Sequence, residues 1–192
     1  MALVLIKEDG TGLTNANSYA SAADGDAYHD GHLYAAAWTG ATNDDKEKAL
    51  VFATRLIDSQ FQFNGWRAHD EQALQWPRER CQDPDKGLPI TVLLLASGSY
   101  VDSSVVPKGV VDATCEMARE LLVADRTTAA PGEGVHSNYT AHMVSGGISD
   151  ISNITYEKSD TRPVVSKVAQ AMLAKYGAPI KGGSGAVRLL RA

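Results

Sequence analysis

The stretch Thr42-Asn43-Asp44-Asp45-Lys46-Glu47-Lys48-Ala49-Leu50-Val51-Phe52-Ala53-Thr54-Arg55-Leu56-Ile57-Asp58-Ser59-Gln60-Phe61-Gln62 reads as one amphipathic helix, and it decides the fold class. Thr42 or Asn43 can cap it, since a short polar side chain there accepts from a free N–H of the first turn. Asp44, Asp45 and Glu47 lie in that turn, where negative charge complements the helix dipole. Ala49, Leu50, Ala53, Leu56, Ile57 and Phe61 recur with a 3.6-residue period, so one face is apolar. Such a face needs a second one to cover it, and residues 107–126 supply it. Pro107 suits a first helical position, where its missing N–H costs nothing. Val110, Val111, Thr114, Met117, Ala118, Leu121 and Leu122 then line one side. The two helices should bury Leu56, Ile57, Met117, Leu121 and Leu122 between them. Truncating Leu121 to alanine would cost about 2–5 kcal/mol if it is buried there.

Towards the N-terminus, residues 4–7 read as a short strand or extended arm that ends at Gly10 and Gly12, residues that tolerate positive φ. Ser21 is a good N-cap, and Asp24 can reach back to complete a short capping box. A first helix over residues 22–30 follows, stopped by Gly31, weakened by Gly25, with Ala23, Ala27 and Tyr28 on one face. After the long helix, Phe63-Asn64-Gly65-Trp66 makes a turn. Residues 75–88 form a polar loop containing Trp76 and Pro77. Residues 90–95 are apolar and partly β-branched, compatible with a strand or a short helix.

Towards the C-terminus, Pro131, Gly132 and Gly134 mark a linker, and Ile148, Ile151, Ile154 and Tyr156 are spaced as in extended chain or a hairpin arm. Pro163 opens a last helix, stopped by Gly177 and Pro179. Gly182-Gly183-Ser184-Gly185 is a flexible tether, and the chain closes on an apolar, basic peptide holding Val187, Arg188, Leu189, Leu190 and Arg191. The expected fold is mainly α: a small helical bundle with long loops, an extended or β arm and a flexible C-terminal tail. Residues 1–128 form the helical core, and residues 129–192 the arm, the last helix and the tail.

Little here points to chemistry. Neither glycine-rich segment matches a phosphate loop, because Lys181 precedes its glycines instead of following them. Asp24, Asp26 and Asp30 lack the glycine and the final Glu of a calcium loop, since His29 and Ala35 occupy those places. His29 and His32 could share a metal, but they read better as surface histidines. No Gly-x-Ser-x-Gly elbow exists. Cys81 beside Arg80 reads as an ordinary loop cysteine, and Cys115 lies in a helix. The expectation is a protein that is not an enzyme and uses no cofactor or metal.

Trp38, Trp66 and Trp76 could stack on bases, with Arg67, Arg78 and Arg80 near. The reading preferred from sequence is that they close the helical core, Trp66 and Trp76 included, with each indole N–H bonded to a loop carbonyl. The net charge of −5 also weighs against a phosphate-gripping surface. No apolar run approaches the roughly 20 residues of a membrane helix. Residues 1–6 are too short for a signal peptide, so a cytosolic origin with reduced cysteines is expected.

The order Glu8-Asp9-Gly10-Thr11-Gly12, Ala16-Asn17-Ser18-Tyr19, Gly65-Trp66-Arg67 and Gln75-Trp76-Pro77-Arg78 resembles a family of tailed-phage neck proteins, the head-to-tail adaptors. Members are often labelled DnaT-like single-stranded-DNA-binding proteins. The resemblance covers about residues 3–125 well and the last third loosely. It implies a structural virion protein, made in the host cytoplasm and residing in the neck. Its subunits would form a homo-oligomeric ring, typically a dodecamer, between the portal protein and a downstream neck, stopper or tail protein. Double-stranded DNA would pass through the ring without specific binding. The tail residues Val187, Arg188, Leu189, Leu190 and Arg191 would dock on the portal or a neighbouring subunit. The alternative is a single-stranded-DNA-binding module.

Overall fold

The computed structural model describes residues 3–83, 85–86, 100–128, 135–144, 147–156 and 163–180. Residues 90–95, the linker at 129–134 and the tail from residue 181 lie outside the described residues, so the readings made of them are not addressed.

The local signals act where the sequence places them. Ser21 caps α1 (Ala22–Asp30): its hydroxyl accepts from the Asp24 N–H, and the Asp24 carboxylate accepts from the Ser21 N–H at 2.7 Å. Thr42, of the two candidates, caps α3 (Asn43–Gln60) by accepting from the Asp45 N–H. A single turn, α2 (Ala36–Thr39), lies between them. Helix α3 stops at Gln60 because the pattern changes there: Phe61 and Phe63 are buried and Gln62 is exposed, a period of two that belongs to strand β1 (Phe61–Phe63). Short strands β2 (Trp66–Arg67) and β3 (Arg78–Glu79) pair antiparallel. Helix α4 (Lys108–Val123) follows Pro107 and ends at extended Ala124. The last helix, α5 (Lys167–Leu173), begins after Ser166, four residues beyond the expected Pro163, because Ser166 accepts from the Ala169 N–H and Pro163 has no such group to offer.

The described chain divides into two compact units: Asp125–Val164, and the remainder on either side of it. In the larger unit α4 is the central helix, packed by α1, α2, α3 and α5. Six consecutive residues of α4, Ala113 to Ala118, are buried, as befits a helix covered all round. Helix α5 therefore belongs with the core, although the sequence grouped it with the C-terminal extension. Strand β6 (Gly177–Pro179) pairs antiparallel with β1, with Phe63 opposite Gly177. A side chain at Gly177 would meet the Gln62 carbonyl at 2.3 Å. The smaller unit contains an antiparallel hairpin, β4 (Val135–Val144) with β5 (Gly147–Tyr156), in continuous register from Val135 opposite Tyr156 to Val144 opposite Gly147. The expected hairpin arm is thus present.

Leu56, Ile57, Met117 and Trp76 are buried as expected. Three residues assigned to the core are not. Leu121 and Leu122 are only half-buried, because the end of α4 borders an open groove beside α2 and α3 in place of a closed contact. Trp66 is 52% exposed. Helix α1 also turns differently: Ala23 and Ala27 face water, while Gly25 and His29 are buried. Gly25 looked like a weakness of the helix. It is room for Trp38, whose Cζ2 would lie 2.2 Å from an added Cβ.

Candidate functional site

The motifs that are scattered in sequence meet in space. Residues 4–8 lie along the loop of residues 15–18: the Ile6 carbonyl accepts from the Asn17 N–H at 2.9 Å, and the Glu8 N–H donates to the Ser18 carbonyl. That docking delivers Tyr19 into the core, fully buried, with its N–H donating to Thr54 Oγ1 of α3. The Tyr19 hydroxyl donates to Asp58 Oδ1 at 2.5 Å and accepts from the Gln75 and Trp76 N–H groups. Asp58 Oδ2 also accepts from the Gln75 N–H. Buried Arg78 completes the join. Its guanidinium donates to the Phe63, Asn64, Gly65 and Gln75 carbonyls and to the Gln75 side chain. These motifs are therefore a structural latch that ties the N-terminal arm, α3 and the loop after it to one another. The Arg78 guanidinium is thus committed to oxygen atoms of the chain itself.

Asp58 gives the latch a pH dependence. Burial pushes its carboxyl from the ordinary 3.8 up to about 6, against the lowering effect of the Tyr19 hydrogen bond. Between those values the folded chain holds a proton that the unfolded chain has released, so stability falls as pH rises through the window. This contribution is fully present below about pH 4 and lost above about pH 6, a change of about 2–3 kcal/mol. Asp58→Asn removes the titration. Urea unfolding of both proteins from pH 4 to pH 7 should show the difference between them changing by that amount. A constant difference would contradict this account.

On the edge of the latch lies the β2–β3 ribbon. Gly65, at φ 71°, turns the chain into it, and a Cβ there would strike the Glu79 carbonyl at 2.1 Å. Trp66 stands opposite Glu79, and its indole N–H donates to Glu79 Oε2 at 3.0 Å. The guanidinium of exposed Arg80 lies 5.4 Å from the indole centroid. Arg80 has φ 53°, a left-handed conformation that costs an ordinary residue about 1–2 kcal/mol. The other tryptophans are interior. Trp38 donates to Asp26 Oδ1, while the buried Trp76 Nε1 has no hydrogen-bond partner among the described residues. The expected carbonyl partners are thus carboxylates for Trp38 and Trp66.

A second surface is an open groove of about 830 Å³ between α2, the first half of α3 and the end of α4. Its floor is made of small residues, Ala36, Gly40 and Ala49 among them. Phe52, Leu121 and Leu122 supply its apolar walls, and Asp45 and Lys48 stand at its rim. The two leucines expected in the core are therefore in the wall of this groove.

The histidines also differ from expectation. His29 is buried, its Nε2 3.2 Å from the Cys115 carbonyl, and burial lowers its pKa, which favours the neutral ring. His32 Nε2 lies 3.7 Å from Glu116, a buried carboxylate that also holds Arg119 and Tyr28. Among the described residues no three His, Cys, Asp or Glu side chains are placed to hold a metal ion, and no helix is long and apolar enough to cross a membrane. Cys81 and Cys115 are both buried, and burial raises both thiols, Cys115 to about 12. Arg80 therefore does not activate Cys81. The tail residues 187–191 lie outside the described residues. The Trp66–Arg80 contact escaped the sequence reading because nothing local distinguishes Trp66 from Trp76.

No curated protein and no solved structure matches the chain. The sequence model of one family, described as "Putative DnaT-like ssDNA binding protein", matches residues 1–192. The chain belongs to that family.

Proposed function

We propose that this protein is a structural subunit of a phage neck, a head-to-tail adaptor that works by assembly and performs no catalysis. The observation that carries the proposal is the open groove walled by Phe52, Leu121 and Leu122. These leucines continue the apolar stripe of α4 yet are only half covered by the described residues, and a partner surface would cover the rest. The hairpin β4–β5 supports the same reading. A two-stranded ribbon by itself is marginal in water, and contacts from a neighbouring subunit would stabilise it. In a ring each subunit presents one face to the next, and an apolar groove and a hairpin arm are each suited to such a heterologous contact. The partners would be neighbouring copies, the portal protein and a downstream neck or tail protein, with DNA passing through the ring. A net charge of −5 suits a channel wall that does not retain duplex.

The groove makes a quantitative claim. Leu121→Ala, half-exposed in the subunit, should cost about 1 kcal/mol there, not the larger loss of a core leucine. The pair Phe52→Asp with Leu122→Asp should leave the subunit folded by circular dichroism but abolish both ring formation and attachment to portal-bearing heads. A wild-type chain that stays monomeric at high concentration and fails to attach to such heads would refute the adaptor reading.

A second reading is a single-stranded-DNA-binding module. The family description supports it directly, and so does the exposure of Trp66 beside Arg80. The acidic charge limits the affinity such a module could reach.

A further inference from the structure

We propose that Trp66 and Arg80 form a stacking platform for an unpaired nucleobase, the indole carrying the base and the guanidinium meeting the adjoining phosphate. The inference rests on the second reading above and assigns it a site. Three observations converge on this ribbon. Trp66 is the one tryptophan of the three that the fold leaves in water, half of its surface exposed. Its orientation is set in advance by the hydrogen bond from Nε1 to Glu79, so little side-chain freedom is lost on binding. Arg80 is held over the ring at the expense of a left-handed backbone, and strain of this kind collects at functional positions. The fold supports both residues from beneath. The neighbouring Arg78 is buried and committed to four carbonyls, and Gly65 keeps the two strands in close contact.

The ligand class follows from the chemistry. A flat, exposed indole accepts any base through its π-face, which favours single strands without a preferred sequence. Duplex DNA hides its base faces and would gain nothing from the platform. The local charge is not strongly basic: Glu79 is part of the site, and Asp70 and Glu71 are exposed in the loop that follows β2. Binding should therefore be weak and should weaken further with salt.

The test is fluorescence anisotropy of a labelled short oligothymidine with the full chain, at low and at physiological salt, and a duplex of equal length as control. Trp66→Ala should weaken binding by about 5- to 100-fold, while Trp66→Phe should keep most of it. Arg80→Gly separates the site from the fold. It removes the guanidinium but accepts the left-handed φ, so it should bind several-fold more weakly while unfolding at the same or a higher temperature. If the wild type binds the single strand and Trp66→Ala binds equally well, the platform is wrong while the second reading stands. If the wild type binds no single strand at all, the second reading falls and the platform with it. Equal affinity for duplex, or a Trp66→Ala variant impaired only in subunit assembly, would also overturn the proposal and make Trp66 something other than a base-stacking residue.

Discussion

Trp76→Ala should lower the unfolding free energy by about 3–5 kcal/mol, the range for deleting a fully buried aromatic. Trp76 has no exposed surface. It packs edge-on against Phe63 of β1 at 5.6 Å and against Tyr176 beyond α5 at 5.7 Å. Its backbone N–H also donates to the Tyr19 hydroxyl. Two segments, at Phe63 and Tyr176, meet on this one ring, so surrounding groups cannot easily collapse into the space it leaves. Trp76→Phe should cost clearly less. Phenylalanine keeps much of the apolar contact and removes an indole N–H that has no hydrogen-bond partner among the described residues. Urea unfolding followed by circular dichroism measures both variants. A loss below about 1 kcal/mol for the alanine variant would contradict the packing described.

Glu8→Ala should cost a comparable amount, about 3–5 kcal/mol, for a different reason. Glu8 is buried, and its carboxylate accepts three backbone N–H groups: Gly10 and Gly12 on Oε1, at 3.0 and 2.9 Å, and Leu13 on Oε2, at 2.9 Å. The turn it closes is dense. Gly10 and Gly12 have positive φ, and a Cβ on either would meet the Ser104 carbonyl at 2.0 Å or the His69 ring at 2.3 Å. Removing the carboxylate leaves three donors to find water in a site with little space. Glu8→Gln should fall in between, since one oxygen survives but an amide N–H₂ then faces the Leu13 N–H. Hydrogen exchange at Gly10, Gly12 and Leu13 should accelerate in the alanine variant before global unfolding. Unchanged protection of these three amides would show that the carboxylate is not what orders the turn.

Much of the architecture was legible because its causes are local. The caps at Ser21 and Thr42 act over three residues, and the stripes of α3 and α4 repeat within a single element. Such features survive any tertiary arrangement, so reading them needs no knowledge of the partner. The motif order Asn17-Ser18-Tyr19 and Gln75-Trp76-Pro77-Arg78 was equally visible, although only its contacts explain it: these residues bond to one another across the Tyr19–Asp58 pair.

What the sequence by itself determined is that α1, α3 and α4 are helical, where they begin to within about a residue, and that α3 and α4 share a core; the single turn α2 and the start of α5 at Lys167 were not legible in it. What only the tertiary structure decided is which members of a pattern are covered. Trp66 and Trp76 are the same residue type ten positions apart, yet one meets Phe63 and Tyr176 and the other meets water. Met117, Leu121 and Leu122 share one stripe, but the end of α4 faces α2 and α3 across an open groove, so Met117 is core and the leucines wall that groove. Gly25 costs α1 some helix propensity and makes room for Trp38, a residue outside that helix. Periodicity states that a face is apolar. Whether that face is covered depends on the lengths and positions of other elements, and that information lies in no single segment.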